Sequence, residues 1–125
     1  MGKNKKVLIV DDDMIDNADN LGFYLGRKGI DLVVAEDYLG ARAKYRADKY
    51  DLVLIDVMIT GHKNGVELLK EIRETDKTTP IYVVSAYVNF EPAAMAAGAD
   101  RFIRKPFSYK EHILKPLGLL KKEGS

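Results

Sequence analysis

The feature that most constrains the fold is a four-residue apolar run, Leu52-Val53-Leu54-Ile55, which ends in Asp56. A short continuous apolar run with β-branched members is typical of a strand buried on both faces, as in a parallel sheet. Three further strand-like runs also end in polar groups: 7–10 before Asp11, 81–84 before Ser85 and 102–104 before Lys105. Because ligands of open α/β sheets bind outside the carboxyl ends of the strands, we expect these groups to share one pocket.

Amphipathic stretches separate the apolar runs, so that strands and helices alternate five times. We predict strands at about 6–11, 30–35, 51–58, 80–85 and 100–104, and helices at about 14–28, 38–48, 66–75 and 91–97, with a fifth helix from 108. Short connections and right-handed crossovers arrange such a (βα)5 pattern as a doubly wound parallel sheet of the α/β class. Pro116 should break or kink the fifth helix, because proline has no backbone N–H.

Length and composition narrow the class of protein. At 125 residues the chain suits one domain, with an expected core of about 5–122. It has no cysteine, which excludes disulfides and thiolate metal sites and agrees with a reducing cytoplasm. A net charge of +1 without a long basic block gives no case for nucleic-acid or membrane binding by this domain. The apolar run after the basic start is too short for a signal peptide, and we expect a cytoplasmic protein.

Three carboxylates, Asp11, Asp12 and Asp56, are predicted to lie at neighbouring strand ends. At about 4 Å and an effective dielectric near 20, each like-charge pair costs on the order of 4 kcal/mol before relaxation. A divalent cation and the Lys105 ammonium are the simplest groups to offset this repulsion. An oxygen-only site with room for water and phosphate oxygens suits Mg²⁺ or Mn²⁺.

The same groups predict phosphoryl chemistry. A carboxylate beside a metal ion and a lysine can attack a phosphoryl group, since both cations neutralise charge on the transferring oxygens. The Ser85 hydroxyl can then donate to a phosphoryl oxygen. The residues alone leave two choices for the nucleophilic aspartate.

The motifs together resemble the receiver domains of two-component response regulators. They are Val-Leu-Ile-Val before Asp11-Asp12-Asp13, Leu-Ile-Asp-Val-Met at 54–58, Val-Val-Ser-Ala at 83–86, and Gly98-Ala99-Asp100 leading to Lys105-Pro106-Phe107. The resemblance covers nearly the whole chain, and we predict a flavodoxin-like sheet with strand order 2-1-3-4-5.

The resemblance also implies roles for individual residues. It makes Asp56 the phospho-acceptor and assigns the metal to Asp11, Asp12, Asp56 and the backbone carbonyl of Met58. It implies that Ser85 and Lys105 assist phosphoryl transfer, and that Ser85 and Phe102 change conformation when Asp56 is phosphorylated. It also implies that the Lys105–Pro106 bond is commonly cis. The phosphoryl group would come from a histidine kinase or a histidine phosphotransfer protein. The switched face of helix 4, strand 5 and helix 5 would control an effector protein or a missing output domain, with a homodimer as one further partner.

The loop after the third strand departs from the receiver pattern. Receivers usually have proline and glycine where this chain has Thr60 and Asn64, and Gly65 comes one residue late. The loop is therefore expected to be one residue longer, which makes His62 and Lys63 candidates near the pocket.

Two other functions compete with a phosphorylation switch. Val10-Asp11-Asp12-Asp13-Met14-Ile15 matches the signature of haloacid-dehalogenase-like phosphatases. Those enzymes also need an acidic pair after the lysine, whereas only Glu111 and Glu123 follow Lys105, and Asp56 would have no role. A pseudo-receiver that only binds partners is the other alternative. The intact acid set argues against it, whereas the altered loop leaves it open.

Overall fold

A single parallel sheet forms the centre of the protein. The computed structural model describes residues 4–12 and 18–119. The strands are β1 (Lys5–Val10), β2 (Ile30–Ala35), β3 (Leu52–Asp56), β4 (Ile81–Ser85) and β5 (Arg101–Arg104). They pair in parallel in the order β2-β1-β3-β4-β5. The predicted α/β fold and the strand order 2-1-3-4-5 are confirmed.

Helices connect successive strands within the described residues. They are α1 (Ala18–Gly26), α2 (Tyr38–Ala47), α3 (Gly65–Arg73) and α4 (Glu91–Ala96), with a 3₁₀ turn at Val88–Phe90 before α4. The predicted strand ends and the described helix ends agree with these bounds to within about two residues. The predicted start of the first helix, at 14, lies outside the described residues.

The alternation of side chains along β3 fills the core on both faces of the sheet. Val53 and Ile55 pack in one cluster with residues of α2 and α3, such as Leu69. Leu52 and Leu54 face the opposite way and pack with Leu25 of α1. Each fully buried aliphatic side chain of this kind stabilises the fold by about 1.5–3 kcal/mol relative to exposure. The continuous apolar run therefore reflects a strand with no solvent face.

The segment after β5 is a short π-helix, Lys110–Leu114, rather than a full α-helix. The Lys115 N–H donates to the Lys110 carbonyl at 2.8 Å, and turns follow through residue 118. Pro116 cannot donate to a carbonyl of the preceding turn, so the regular pattern ends before it. The prediction that Pro116 interrupts this helix is confirmed.

The start of α3 lies directly against the end of β3. Asn64 caps the helix in a capping box with Glu67 (2.9 and 3.0 Å), and the Gly65 N–H donates to the Val57 carbonyl at 2.8 Å. A Cβ on Gly65 would lie 2.1 Å from the carbonyl oxygen of Asp56. Only glycine allows this approach, and the approach fixes where β3 ends.

We expect Gly65→Ala to lower the free energy of unfolding by about 1–3 kcal/mol or more, because the backbone at Asp56 must move to admit a methyl group. Gly22→Ala is the matched control. Gly22 lies inside α1 with nothing within 4 Å of an added Cβ, and the change should stabilise by about 0.5–1 kcal/mol. Urea unfolding followed by circular dichroism measures both, and equal midpoints for Gly65→Ala and wild type would contradict the close approach.

Candidate functional site

Four of the predicted site residues meet at the carboxyl edge of the sheet. Asp56 and Ser85 are the last residues of β3 and β4, and Asp11 and Lys105 come directly after β1 and β5. Parallel strands place these ends on the same edge. Asp11 and Asp56 are each 5% exposed, and Ser85 is fully buried. The structure thus places these four residues at the same edge of the sheet, as the strand ends predict.

Lys105 provides the positive charge beside the two buried acids. Its Nζ contacts Asp56 Oδ2 and lies 3.7 Å from Asp11 Oδ2. The other oxygen of Asp56, Oδ1, accepts the Met58 N–H at 3.1 Å. Burial raises the pKa of Asp56, and the bonds from Lys105 and Met58 oppose that rise. Ionisation of the Asp56 carboxylate is therefore unfavourable in this buried position, and a nearby positive charge stabilises the ionised form.

Ser85 connects the acidic pocket to the segment that carries Lys105. Its Oγ accepts the Tyr87 N–H at 2.9 Å, and its carbonyl accepts the Lys105 N–H at 2.8 Å. The next peptide bond, Lys105–Pro106, is cis, in agreement with the family resemblance. The backbone of Ser85 therefore fixes the start of the chain segment from which the ammonium reaches Asp56.

Asp12 and Phe102 occupy less buried positions. The Asp12 Oδ2 lies 3.4 Å from Thr60 Oγ1, at hydrogen-bonding distance. Phe102 is partly buried, lies beside Val83 in the sheet and packs against the core cluster of β3, α2 and α3. The side chain of Met58 is 55% exposed, and its backbone is adjacent to Asp56 through the N–H contact.

The donor chemistry of the site fits a hard divalent cation. Asp11, Asp12 and Asp56 offer carboxylate oxygens and Met58 offers a carbonyl oxygen, the ligand types that Mg²⁺ and Mn²⁺ prefer. Over residues 4–12 and 18–119, no three aspartate, glutamate or histidine side chains are already grouped to hold a metal ion. The types of donor atom therefore fit such a cation. The Asp12 carboxylate contacts Thr60 in this structure.

Of the two loop candidates, Lys63 contacts α3 and His62 is exposed. His62 is exposed, and the Lys63 Nζ bonds Glu71 of α3 at 3.1 Å while lying 5.6 Å from the ring centroid of Tyr38. Sequence analysis also missed the contacts of Thr60 with Asp12 and of Tyr38 with Glu71. No local pattern signals them, because each joins residues far apart along the chain.

Comparison with known proteins agrees with this fold. The family model described as the response regulator receiver domain matches residues 7–116. The transcriptional regulatory protein CiaR of Streptococcus pneumoniae is 33% identical over 123 residues, covering 95% of this chain and 53% of CiaR. The Francisella response regulator 1452 receiver domain has a TM-score of 0.78 at 32% identity, with 93% of this chain and 96% of that chain covered. TrrA of Thermotoga maritima, solved in complex with Mg²⁺-BeF, has a TM-score of 0.75 at 30% identity, with 93% and 99% covered.

The fold and the comparisons together define a signalling domain of the receiver class. The chain belongs to the response regulator receiver domain family of two-component systems. It spans about a quarter to a half of the length of the curated relatives it matches. Within the part of the chain that the structure describes, no helix is long and apolar enough to cross a membrane.

The pH dependence of stability tests the environment of Asp56. Because burial raises its pKa, the folded state keeps this proton to higher pH than the unfolded chain, whose value is near 3.8. The stabilising contribution of this group is present below that value and is lost as pH rises through the folded pKa. In metal-free buffer at pH 7, we expect Asp56→Asn to be more stable than wild type by about 1 kcal/mol.

This advantage should shrink as the pH is lowered toward 3.8. Thermal unfolding in EDTA across this pH range measures it, with Asp31→Asn at an exposed strand position as the control. A lower melting temperature for Asp56→Asn at pH 7 would show that the contacts of Asp56 outweigh its burial.

Proposed function

We propose that Asp56 accepts a phosphoryl group and that the domain acts as a phosphorylation-dependent switch. The observation that carries this proposal is the buried carboxylate of Asp56 in contact with the Lys105 ammonium at the end of the central strand. Asp11 also lies near Lys105, but its Oδ2 is 3.7 Å away. The closer contact favours Asp56 among the candidate nucleophiles.

The donor in this proposal is a phosphohistidine of a histidine kinase or a histidine phosphotransfer protein. A carboxylate oxygen of Asp56 forms a bond to phosphorus as the bond between phosphorus and the imidazole nitrogen breaks, and the nitrogen keeps the electron pair. Lys105 neutralises charge on the transferring oxygens, and the Ser85 hydroxyl donates to one of them. Asp56 begins from a raised pKa, so added positive charge favours its reactive anion.

Mg²⁺ or Mn²⁺ is the metal ion of this proposal, with Asp11, Asp12, Asp56 and the Met58 carbonyl as its ligands. When bound, the ion neutralises negative charge on the acids and on the phosphoryl oxygens. TrrA, a similar protein, is described in complex with Mg²⁺-BeF. Asp12 would have to exchange its contact with Thr60 for the metal ion.

The response to phosphorylation is proposed to spread through Ser85 and Phe102. An added phosphoryl group contributes about −1.5 to −2 charges beside Lys105. The serine hydroxyl and the ammonium would move toward it, and the partly buried Phe102 would turn inward from β5. The face formed by α4, β5 and the π-helix would then change its population between two states.

The proposal also includes the target that the domain controls and its location in the cell. Residues from about 5 to 122 would be one receiver domain that acts in the cytoplasm on an effector protein, on an output domain or through a homodimer. Several similar proteins are named transcriptional regulatory proteins, and this chain covers about half of them. Control of an output domain is therefore the form of this proposal that the relatives support.

Treatment with Mg²⁺ and acetyl phosphate or phosphoramidate, followed by mass spectrometry, tests the acceptor. We expect one phosphoryl group per chain on Asp56, stable enough to detect, and no adduct on Asp56→Asn. Asp31→Asn is the matched control and should be modified like wild type, because residue 31 lies at the other edge of the sheet.

The other two functions give different results in the same experiment. Continuous turnover that requires Asp11 and survives Asp56→Asn would indicate a phosphatase of the haloacid-dehalogenase type. An unmodified wild-type protein under all donor conditions would indicate a pseudo-receiver that only binds partners.

Two exposed side chains at the edge of the pocket are expected to slow loss of the phosphoryl group. Met58 and Tyr87 are 55% and 57% exposed, and their backbone N–H groups bond Asp56 and Ser85. Their side chains can therefore exclude water from the acyl phosphate. We expect Tyr87→Ala to hydrolyse its phosphoryl group several-fold faster than wild type, measured by mass spectrometry over time. Met95→Ala, an exposed change on α4, is the control, and an unchanged rate for Tyr87→Ala would contradict the shielding.

A further inference from the structure

We propose that Thr60 is a positioning residue that holds the Asp12 carboxylate away from Asp11 and Asp56 until a divalent cation binds. Thr60 would thereby set the affinity of the site for the cation. This inference rests on the proposed function, because it concerns the metal ion that assists Asp56. It gives a function to the loop between β3 and α3, where the sequence differs from the usual receiver pattern.

The backbone of Thr60 is fixed to the start of α2. Its carbonyl accepts the Tyr38 N–H at 2.9 Å, and residues 37 and 60 form an isolated parallel bridge. Asp37 is itself fixed, since its Oδ1 accepts the Gly40 N–H at 2.6 Å as the N-cap of α2. Thr60 thus continues the ordered structure of the second βα unit.

Tyr38 also holds the chain on the far side of Thr60. Gly61 has a φ of +123°, and a Cβ on it would lie 3.0 Å from the Tyr38 Cβ, so the backbone passes directly over this tyrosine. The Tyr38 hydroxyl donates to Glu71 Oε2 at 2.6 Å, and the Lys63 Nζ reaches the same oxygen at 3.1 Å. Tyr38 is nearly fully buried. We call Tyr38, Lys63 and Glu71 the loop clamp.

The loop clamp and the bridge hold the backbone on both sides of Thr60. Its exposed side chain places Oγ1 3.4 Å from Asp12 Oδ2. The contact is long and therefore weak, but it gives Asp12 a neutral donor, whereas Asp11 and Asp56 share the Lys105 ammonium. Like charges repel, so in metal-free protein Asp12 gains from this partner. A cation that draws in Asp12 must break the contact.

Magnesium titrations of the unphosphorylated protein by isothermal calorimetry test this role. Thr60→Val keeps the shape of the side chain and removes the donor, so we expect its Kd for Mg²⁺ to fall about two- to fivefold, as expected from loss of one weak hydrogen bond. Thr60→Ser keeps the hydroxyl and should retain the wild-type Kd. Tyr38→Phe removes the bond to Glu71, loosens the loop clamp and should lower the Kd in the same direction.

Thr75→Val is the matched control, since Thr75 is exposed and follows the carboxyl end of α3, and its Kd should equal that of wild type. A Kd for Thr60→Val that is unchanged or higher overturns the positioning role, even where Asp56 is phosphorylated normally. Rescue by serine separates the hydroxyl from a merely structural effect of residue 60. Absence of magnesium binding in wild type would overturn the metal part of the proposed function and this inference with it.

Discussion

The contact between Lys105 and Asp56 is the interaction on which the arrangement of the site depends. Two carboxylates that are 5% exposed lie at the end of adjacent central strands, where water cannot solvate them fully. A buried charge is tolerated only when it is paired and hydrogen-bonded. Lys105 supplies the pairing, and the Met58 N–H supplies a hydrogen bond to the second oxygen of Asp56.

The strand order explains how Lys105 reaches Asp56. β5 is an edge strand and β4 lies between it and β3, so the lysine side chain must extend across the end of β4. Ser85 occupies that end and is fully buried. A small side chain at this position leaves space for the ammonium to cross.

Sequence patterns predicted the sheet and the placement of most candidate site residues, because both follow from short runs of neighbouring residues. The apolar runs determine the strands, and the residue that follows each run must lie at the carboxyl edge. Contacts between segments that are distant along the chain leave no such local pattern. Lys63 could have pointed toward Asp56 or away from it, and the choice depends on Glu71 and Tyr38, which the loop meets only in the folded protein. The sequence predicted a fifth helix from 108 that is interrupted at Pro116, and the structure has a π-helix over Lys110–Leu114 there.

The loop between β3 and α3 shows how the domain accommodates a departure from the receiver pattern. Its first residues are fixed by the Met58 N–H on Asp56, and its end is fixed where Gly65 meets the Asp56 carbonyl. Between these points the chain is held by Tyr38, and Thr60, Gly61 and His62 are all exposed. The middle of the loop is therefore exposed, while both of its ends contact Asp56. A loop held at both ends on Asp56 keeps that residue in place, and its Thr60 hydroxyl lies beside Asp12.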